Sequence, residues 1–186
     1  MNLYPSATTA GNAAHVAHVR AFLKQAVDHY PRLAAFGFTL RLPCCENLAD
    51  YQSLMLRFHT EVWQRTDEYS RNRQQARRHS PPTVLRWVWG ATSAPVCRMA
   101  LMMNLDTLGG GNNSQFNDNA LQDMSEIICD AGQMASGVRY DAVTNMILLT
   151  ISRSGRGGFS SPFNQLKAWI QVMDAPVSMV RTGIAG

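Results

Sequence analysis

Two short apolar runs, Val84 to Trp89 and Val96 to Leu105, lie near the middle of the chain, separated by the turn-like Gly-Ala-Thr-Ser-Ala-Pro. Apolar runs of that length, with β-branched and aromatic residues and turn residues at their ends, predict two adjacent strands at the centre of a sheet. Upstream, Val16, Val19, Phe22, Leu23, Ala26 and Val27 recur at helical spacing and predict an amphipathic helix from Asn12 to His29. Tyr30-Pro31 ends it, because a residue before proline avoids the helical region. Leu33 to Leu42 then reads as a strand stopped by Pro43, with Phe36, Phe38, Leu40 and Leu42 on one face and Thr39 and Arg41 on the other. The next helix, capped by Asn47 or Asp50, carries Leu54, Leu56, Phe58, Val62 and Trp63 and is expected to end near Arg71.

A basic, polar run continues to Ser80, and Pro81-Pro82 punctuates the chain before the central strands. After them comes Gly-Gly-Gly-Asn-Asn-Ser, a loop that lacks the Gly-x-x-x-x-Gly-Lys order of a phosphate-binding loop. Asn117 to Met134 predicts a helix with Leu121, Met124, Ile127, Ile128 and Ala131 inward. Val143 to Ile151 predicts a strand, and Phe163 to Met173 a short helix; the last ten residues show no period. The order α, β, α, ββ, α, β, α predicts an α+β fold: a central, mostly antiparallel sheet with helices packed on it. Residues 1–11 are expected to form a flexible leader and residues 12–186 a single domain.

Composition narrows the picture. An apolar fraction of 46% with 16% charged residues excludes a wholly disordered chain. The formal charge of +4 permits an anionic partner without requiring one. Its distribution says more, since Arg57, Arg65, Arg71, Arg73, Arg77, Arg78 and Arg86 are opposed between those limits only by Glu61, Asp67 and Glu68. Cys44, Cys45, Cys97 and Cys129 form no C-x-x-C pair, which leaves reduced thiols rather than a chelate or a disulfide framework. No basic segment followed by an apolar one opens the chain, and no apolar run approaches the length of a membrane span. A soluble cytoplasmic protein is expected.

Catalytic patterns are sparse. Asp67 and Glu68 are adjacent, and adjacent helical residues do not share a face. Asp118, Asp123 and Glu126 read as a solvated helix side. His15 and His18 lack a third ligand nearby in sequence, His59 sits in a helix whose evident task is packing, and Cys97 reads as a small buried hydrophobe. No metal or cofactor is expected. The strongest lead is basic: Arg71, Arg73, Arg77 and Arg78, with Arg153 and Arg156 from a Gly/Ser loop and Arg41 and Arg86 on strands, are candidates to meet phosphates or a protein partner.

Three stretches carry a resemblance. YPRLAAFGFTLRLP (Tyr30 to Pro43), LRWVW (Leu85 to Trp89) and VCRMALMMNLDTLG (Val96 to Gly109) resemble the opening, the aromatic strand and the histidine strand of a replication-initiator family. This is the inovirus gene-2 type, with its YagK/YfjJ-like prophage and plasmid relatives, a histidine–hydrophobe–histidine (HUH) class of nickase. Phe163 to Asp174 resembles that family's terminal helix, and the likeness spans roughly residues 25 to 176. It implies a Rep-like (RRM-like) sheet on which two histidines hold a divalent metal. A tyrosine, followed three residues later by lysine, attacks the DNA phosphodiester.

In this chain the histidine positions align with Cys97 and Met99, the tyrosine with Trp169 and the lysine with Val172. An indole is no phosphoryl nucleophile and a thioether is a poor ligand for a hard cation. The resemblance therefore implies a degenerate former site and no enzyme activity. It implies a nucleic-acid-binding protein of a plasmid or prophage, contacting single- or double-stranded DNA and regulating replication or DNA transfer. It would use an open sheet face and the Arg57 to Arg86 region. The alternative is a protein-binding conjugation inhibitor acting on a transfer, secretion or replication component, for which the four tryptophans and ten methionines leave room for an apolar docking surface.

Overall fold

The computed structural model describes residues 7–76, 83–90, 95–108, 114–137, 141–153 and 160–182. In chain order they form α1 (Ala7–His29), β1 (Arg32–Arg41), α2 (Leu48–Ala76), β2 (Val84–Gly90), β3 (Val96–Asn104), a 3-10 turn (Leu105–Leu108), α3 (Ser114–Ser136), β4 (Val143–Ser152), α4 (Ser160–Gln171) and β5 (Pro176–Thr182). The strands pair antiparallel in one sheet of order β4-β1-β3-β2-β5. This is the α+β arrangement that the order of elements predicts.

Side-chain alternation along β1 sends residues to two separate cores. Ala34, Phe36, Phe38 and Leu40 join Leu85 and Trp87 of β2 and Cys97, Met99, Leu101 and Met103 of β3 beneath α2 and α3. Leu33 and Ala35 join Val88, Ala100, Met102, Leu149 and Ile151 beneath α1 and α4. Both faces of the sheet are thus covered, which corrects the expectation of an open face. It also explains why β1 reads as a continuous apolar run: every residue from Leu33 to Leu40 is buried. Each fully buried leucine or phenylalanine contributes about 1.5–3 kcal/mol relative to an exposed one.

The local signals have visible causes. Asn47 caps α2, its Oδ1 accepting the Asp50 N–H at 2.9 Å. Gly137 closes α3 at a φ of 69°, its N–H bonded to the Gln133 carbonyl at 2.9 Å. α2 and α3 are joined by Tyr69, whose hydroxyl donates to Asp123 Oδ2 at 2.8 Å. Burial first, and then that hydrogen bond, push the Tyr69 phenol well above its ordinary pKa. β4 carries an extra residue where Gly37 pairs with Ile147 but Thr39 with Thr144, and Asn145 there takes a φ of 53°.

Several boundaries differ from expectation. α1 begins at Ala7, inside the expected leader, and α2 runs on to Ala76 rather than ending near Arg71. β5 is a strand the sequence pattern missed. It lies at the sheet edge with half-buried and exposed positions irregularly mixed, so its sequence carries no clean period. Arg77, Arg78 and Arg156 lie outside the described residues.

The approach of α4 to the sheet depends on Gly37. A methyl group built there would stand 2.7 and 2.8 Å from the Ile147 side chain and 3.0 Å from Trp169 Nε1. Gly37→Ala is expected to destabilise the protein by about 1–3 kcal/mol through overpacking. Chemical denaturation checks this: the midpoint should fall with the m-value unchanged.

Candidate functional site

Two places hold side chains whose chemistry packing alone does not absorb. The first is the end of the sheet beneath α4. β1 and β3 pair there with Arg41 opposite Val96 and Thr39 opposite Arg98, so these four side chains share one side of the sheet. It is the same side as Gly37, and therefore as Trp169 of α4. Arg98 lays its guanidinium 5.1 Å from the centre of the Trp169 ring, a cation–π contact. The indole is itself fixed, its Nε1 donating to the Met99 carbonyl at 2.9 Å. Arg41 and Arg98 are both exposed. They are diagonal neighbours across two strands, and among the described residues neither forms an ion pair with a carboxylate.

The four residues assigned to the degenerate site are not brought together. Cys97 and Met99 are buried among the side chains under α2 and α3, on the far side of the sheet from Trp169. Trp169 meets Met99 through its main-chain oxygen, while Val172 stands exposed just beyond α4. The strand residues that do share the Trp169 side are Val96 and Arg98, one position removed. A shift of one residue along a strand exchanges faces completely.

The arginine run disperses in the same way. Arg71 pairs with Asp67 on its own helix, Arg73 with Asp123 at 3.2 Å, and Arg65 with Glu61 and Asp130 at 3.6 and 3.4 Å. Exposed pairs of this kind contribute about 0–1 kcal/mol each, so their main effect is to neutralise this face. Arg86 points the other way, buried beneath α1, with Nη1 donating to Gln25 Oε1 at 3.3 Å and the guanidinium near the Phe22 and Tyr30 rings. Arg153 donates to the Asp28 carbonyl at the end of α1 at 3.4 Å. Of the named arginines that the structure describes, Arg41 and, on α2, Arg57 face solvent without such a partner among the described residues, and Arg98 was missed. Its signal was available: a lone arginine in an apolar strand, in register with the same face as Arg41.

The second place is an apolar cleft of about 530 Å³ between α2, the β2–β3 end of the sheet and β5. Leu42, Tyr51, Met55, Trp89 and Met179 wall it, Leu48, Leu56 and Val177 are exposed around it, and His59 and Cys97 line its depth. The Cys97 thiol donates to the Gly90 carbonyl at 3.2 Å, and burial pushes its pKa up to about 11. His59 is 2% exposed, packed against Trp87 and Trp89 at ring distances of 4.4 and 4.9 Å. Burial first, and then the positive charge of Arg181, lower its pKa to about 3. With the imidazole neutral and the thiol protonated at pH 7, the two do not form a thiolate–imidazolium pair. Among the described residues no three His, Cys, Asp or Glu side chains gather to hold a metal ion.

A family model described as Uncharacterised conserved protein UCP030791 matches residues 8–141. The chain belongs to that family. The matched span carries α1 through α3, and so contains Arg41, Arg98 and His59 while stopping short of Trp169. No curated protein and no solved structure matches the chain. Among the described residues no helix is long and apolar enough to cross a membrane.

The sign of the His59 effect on stability follows from its burial. The unfolded chain binds a proton near pH 6.5 and the folded chain only near 3, so in that window the unfolded state binds more protons. Stability is full above the ordinary histidine range and falls as pH drops through it, by up to about 1.4 kcal/mol per pH unit. His59→Leu is expected to flatten that acid limb. Urea melts of both proteins between pH 7 and pH 4 measure the difference.

Proposed function

We propose that the chain is a non-catalytic, replication-initiator-like protein of a plasmid or prophage that binds single-stranded nucleic acid and regulates replication or DNA transfer. The observation that carries this reading is the Arg41–Arg98–Trp169 constellation: two exposed cations on neighbouring strands, with no carboxylate partner among the described residues, beside a part-exposed indole. Guanidinium groups meet phosphate oxygens in a planar fork, and an aromatic surface beside them offers stacking to a base of any identity. The antiparallel sheet and the position of α4 at the end of β3 suit the frame that the resemblance implies. The two metal-ligand positions that the resemblance assigns, Cys97 and Met99, lie across the sheet from Trp169, and the side beside the indole carries Val96 and Arg98, a hydrocarbon and a fixed cation. The nucleophile position is held by Trp169, which is tied to the strand backbone. A guanidinium beside the indole offers attraction for phosphate without a metal or a nucleophile.

The paired arginines of α2 have a smaller part in this reading, because Asp67, Glu61, Asp123 and Asp130 already offset them. Their charge is available to a polyanion only if those pairs break.

Fluorescence anisotropy of a labelled oligothymidylate, titrated from 50 to 300 mM salt, tests the proposal. Wild-type protein should bind with strong salt dependence. Arg41→Ala with Arg98→Ala should weaken binding at least tenfold and flatten the log–log salt slope by about 1.4, roughly 0.7 for each lost phosphate contact on a single strand. Arg71→Ala should leave both unchanged. With Mg²⁺ or Mn²⁺ added, neither cleavage nor a covalent protein–DNA adduct is expected, and either would sink the non-catalytic reading. Absent or salt-insensitive binding would sink the nucleic-acid reading and leave the protein-target alternative.

A further inference from the structure

The apolar cleft lies on the α2 side of the sheet, away from the arginines, and one of its residues is out of character with the rest. Both ring nitrogens of His59 are shut off from solvent, and neither hydrogen-bonds another group among the described residues. Leaving a buried donor or acceptor unmet is destabilising, and a leucine or methionine here would avoid that cost. The neighbouring polar groups have their own partners: the Cys97 thiol donates to Gly90, Tyr51 Oη accepts the Cys45 N–H at 3.1 Å, and Arg181 donates to Thr60 at 3.3 Å. Gln52 also lines the cleft, with an exposed side chain that water can serve, so the buried unmet hydrogen-bonding capacity of the lining is that of one imidazole.

We propose that the cleft is a binding site for a small uncharged amphiphile. Its apolar body lies against Met55, Trp89 and Met179, and one carboxamide or hydroxyl group reaches His59. A volume of about 530 Å³ falls within the usual range for small-molecule sites. The walls are hydrocarbon, thioether and aromatic, which suits an alkyl or aryl body. A neutral imidazole carries one donor and one acceptor, so the best complement is a group that both accepts and donates. Binding requires the ring to turn about its soft terminal torsion so that a nitrogen faces the cleft. A carboxylate or ammonium ion would give up its hydration to apolar walls, and the cation whose charge bears on His59, Arg181, is already engaged with Thr60, so a charged group is disfavoured. This site is separate from the proposed nucleic-acid interface and stands or falls without it.

Calorimetric titration of the full chain with octanamide, N,N-dimethyloctanamide and octanoate tests the proposal, with tryptophan fluorescence reporting Trp89. Octanamide should bind one to one, the dimethyl amide about tenfold more weakly because it lacks the donor, and octanoate more weakly still. His59→Leu should keep both amides bound and make them equal. Met55→Trp, which fills the cleft, should abolish binding of all three. In wild-type protein the imidazole ¹⁵N resonances of His59 should move with octanamide, a readout that does not depend on how either variant folds. No binding of any probe, octanoate as the tightest ligand, or unmoved His59 resonances at octanamide saturation would each overturn the proposal.

Discussion

β1 and β3 lie side by side at the middle of the sheet, and each is buried on both faces. The register between them, from Leu33 opposite Asn104 to Arg41 opposite Val96, assigns every side chain on these strands to one helical layer or the other. A sheet with even one buried face resists slipped pairing, because a one-residue shift turns its apolar set to solvent. Here a slip of one position would drive Phe36, Phe38 and Met99 against α1 and α4 and push Arg98 into hydrocarbon. The two cores are thus held in step by a single ladder. The arginines at its end are placed by the same register that buries the phenylalanines.

Much of the architecture could be read from periodicity, because the strongest signals came from the elements most deeply buried. The two central strands, the run from Leu33, and the helices around Phe58 and Ile128 all announce themselves through apolar residues that reach essentially complete burial. Elements whose stability comes from neighbours were harder to see. β5 is an edge strand of mixed exposure, held by pairing with β2, and no property of Pro176 to Thr182 taken alone requires it. The tail of α2 beyond Arg71 is polar and gains order as a continuation of a helix already packed on α3.

The candidate site was legible in kind and misplaced in detail. Sequence supplies the list of arginines but not which have carboxylates beside them, since Arg73 and Asp123 are far apart in the chain and meet only when α2 packs on α3. Nor could it fix the parity of the central strand, on which the choice between Cys97 and Arg98 turns. An apolar strand buried on both faces has no polar alternation to reveal which way each residue points. His59 was hidden for a related reason: a histidine on a packing face looks alike whether or not its nitrogens find partners.

The irregularity in β4 bears on how copies of this protein meet. β4 is an outer strand, and Leu148 on it is 38% exposed, a combination that invites another chain to hydrogen-bond alongside. The additional residue at Asn145, with its left-handed backbone, kinks the strand and increases its local twist. A second molecule pairing along the whole of β4 would have to follow that kink. Self-association into fibrils along this border is thereby discouraged by backbone shape, in a protein with few charges to keep its copies apart.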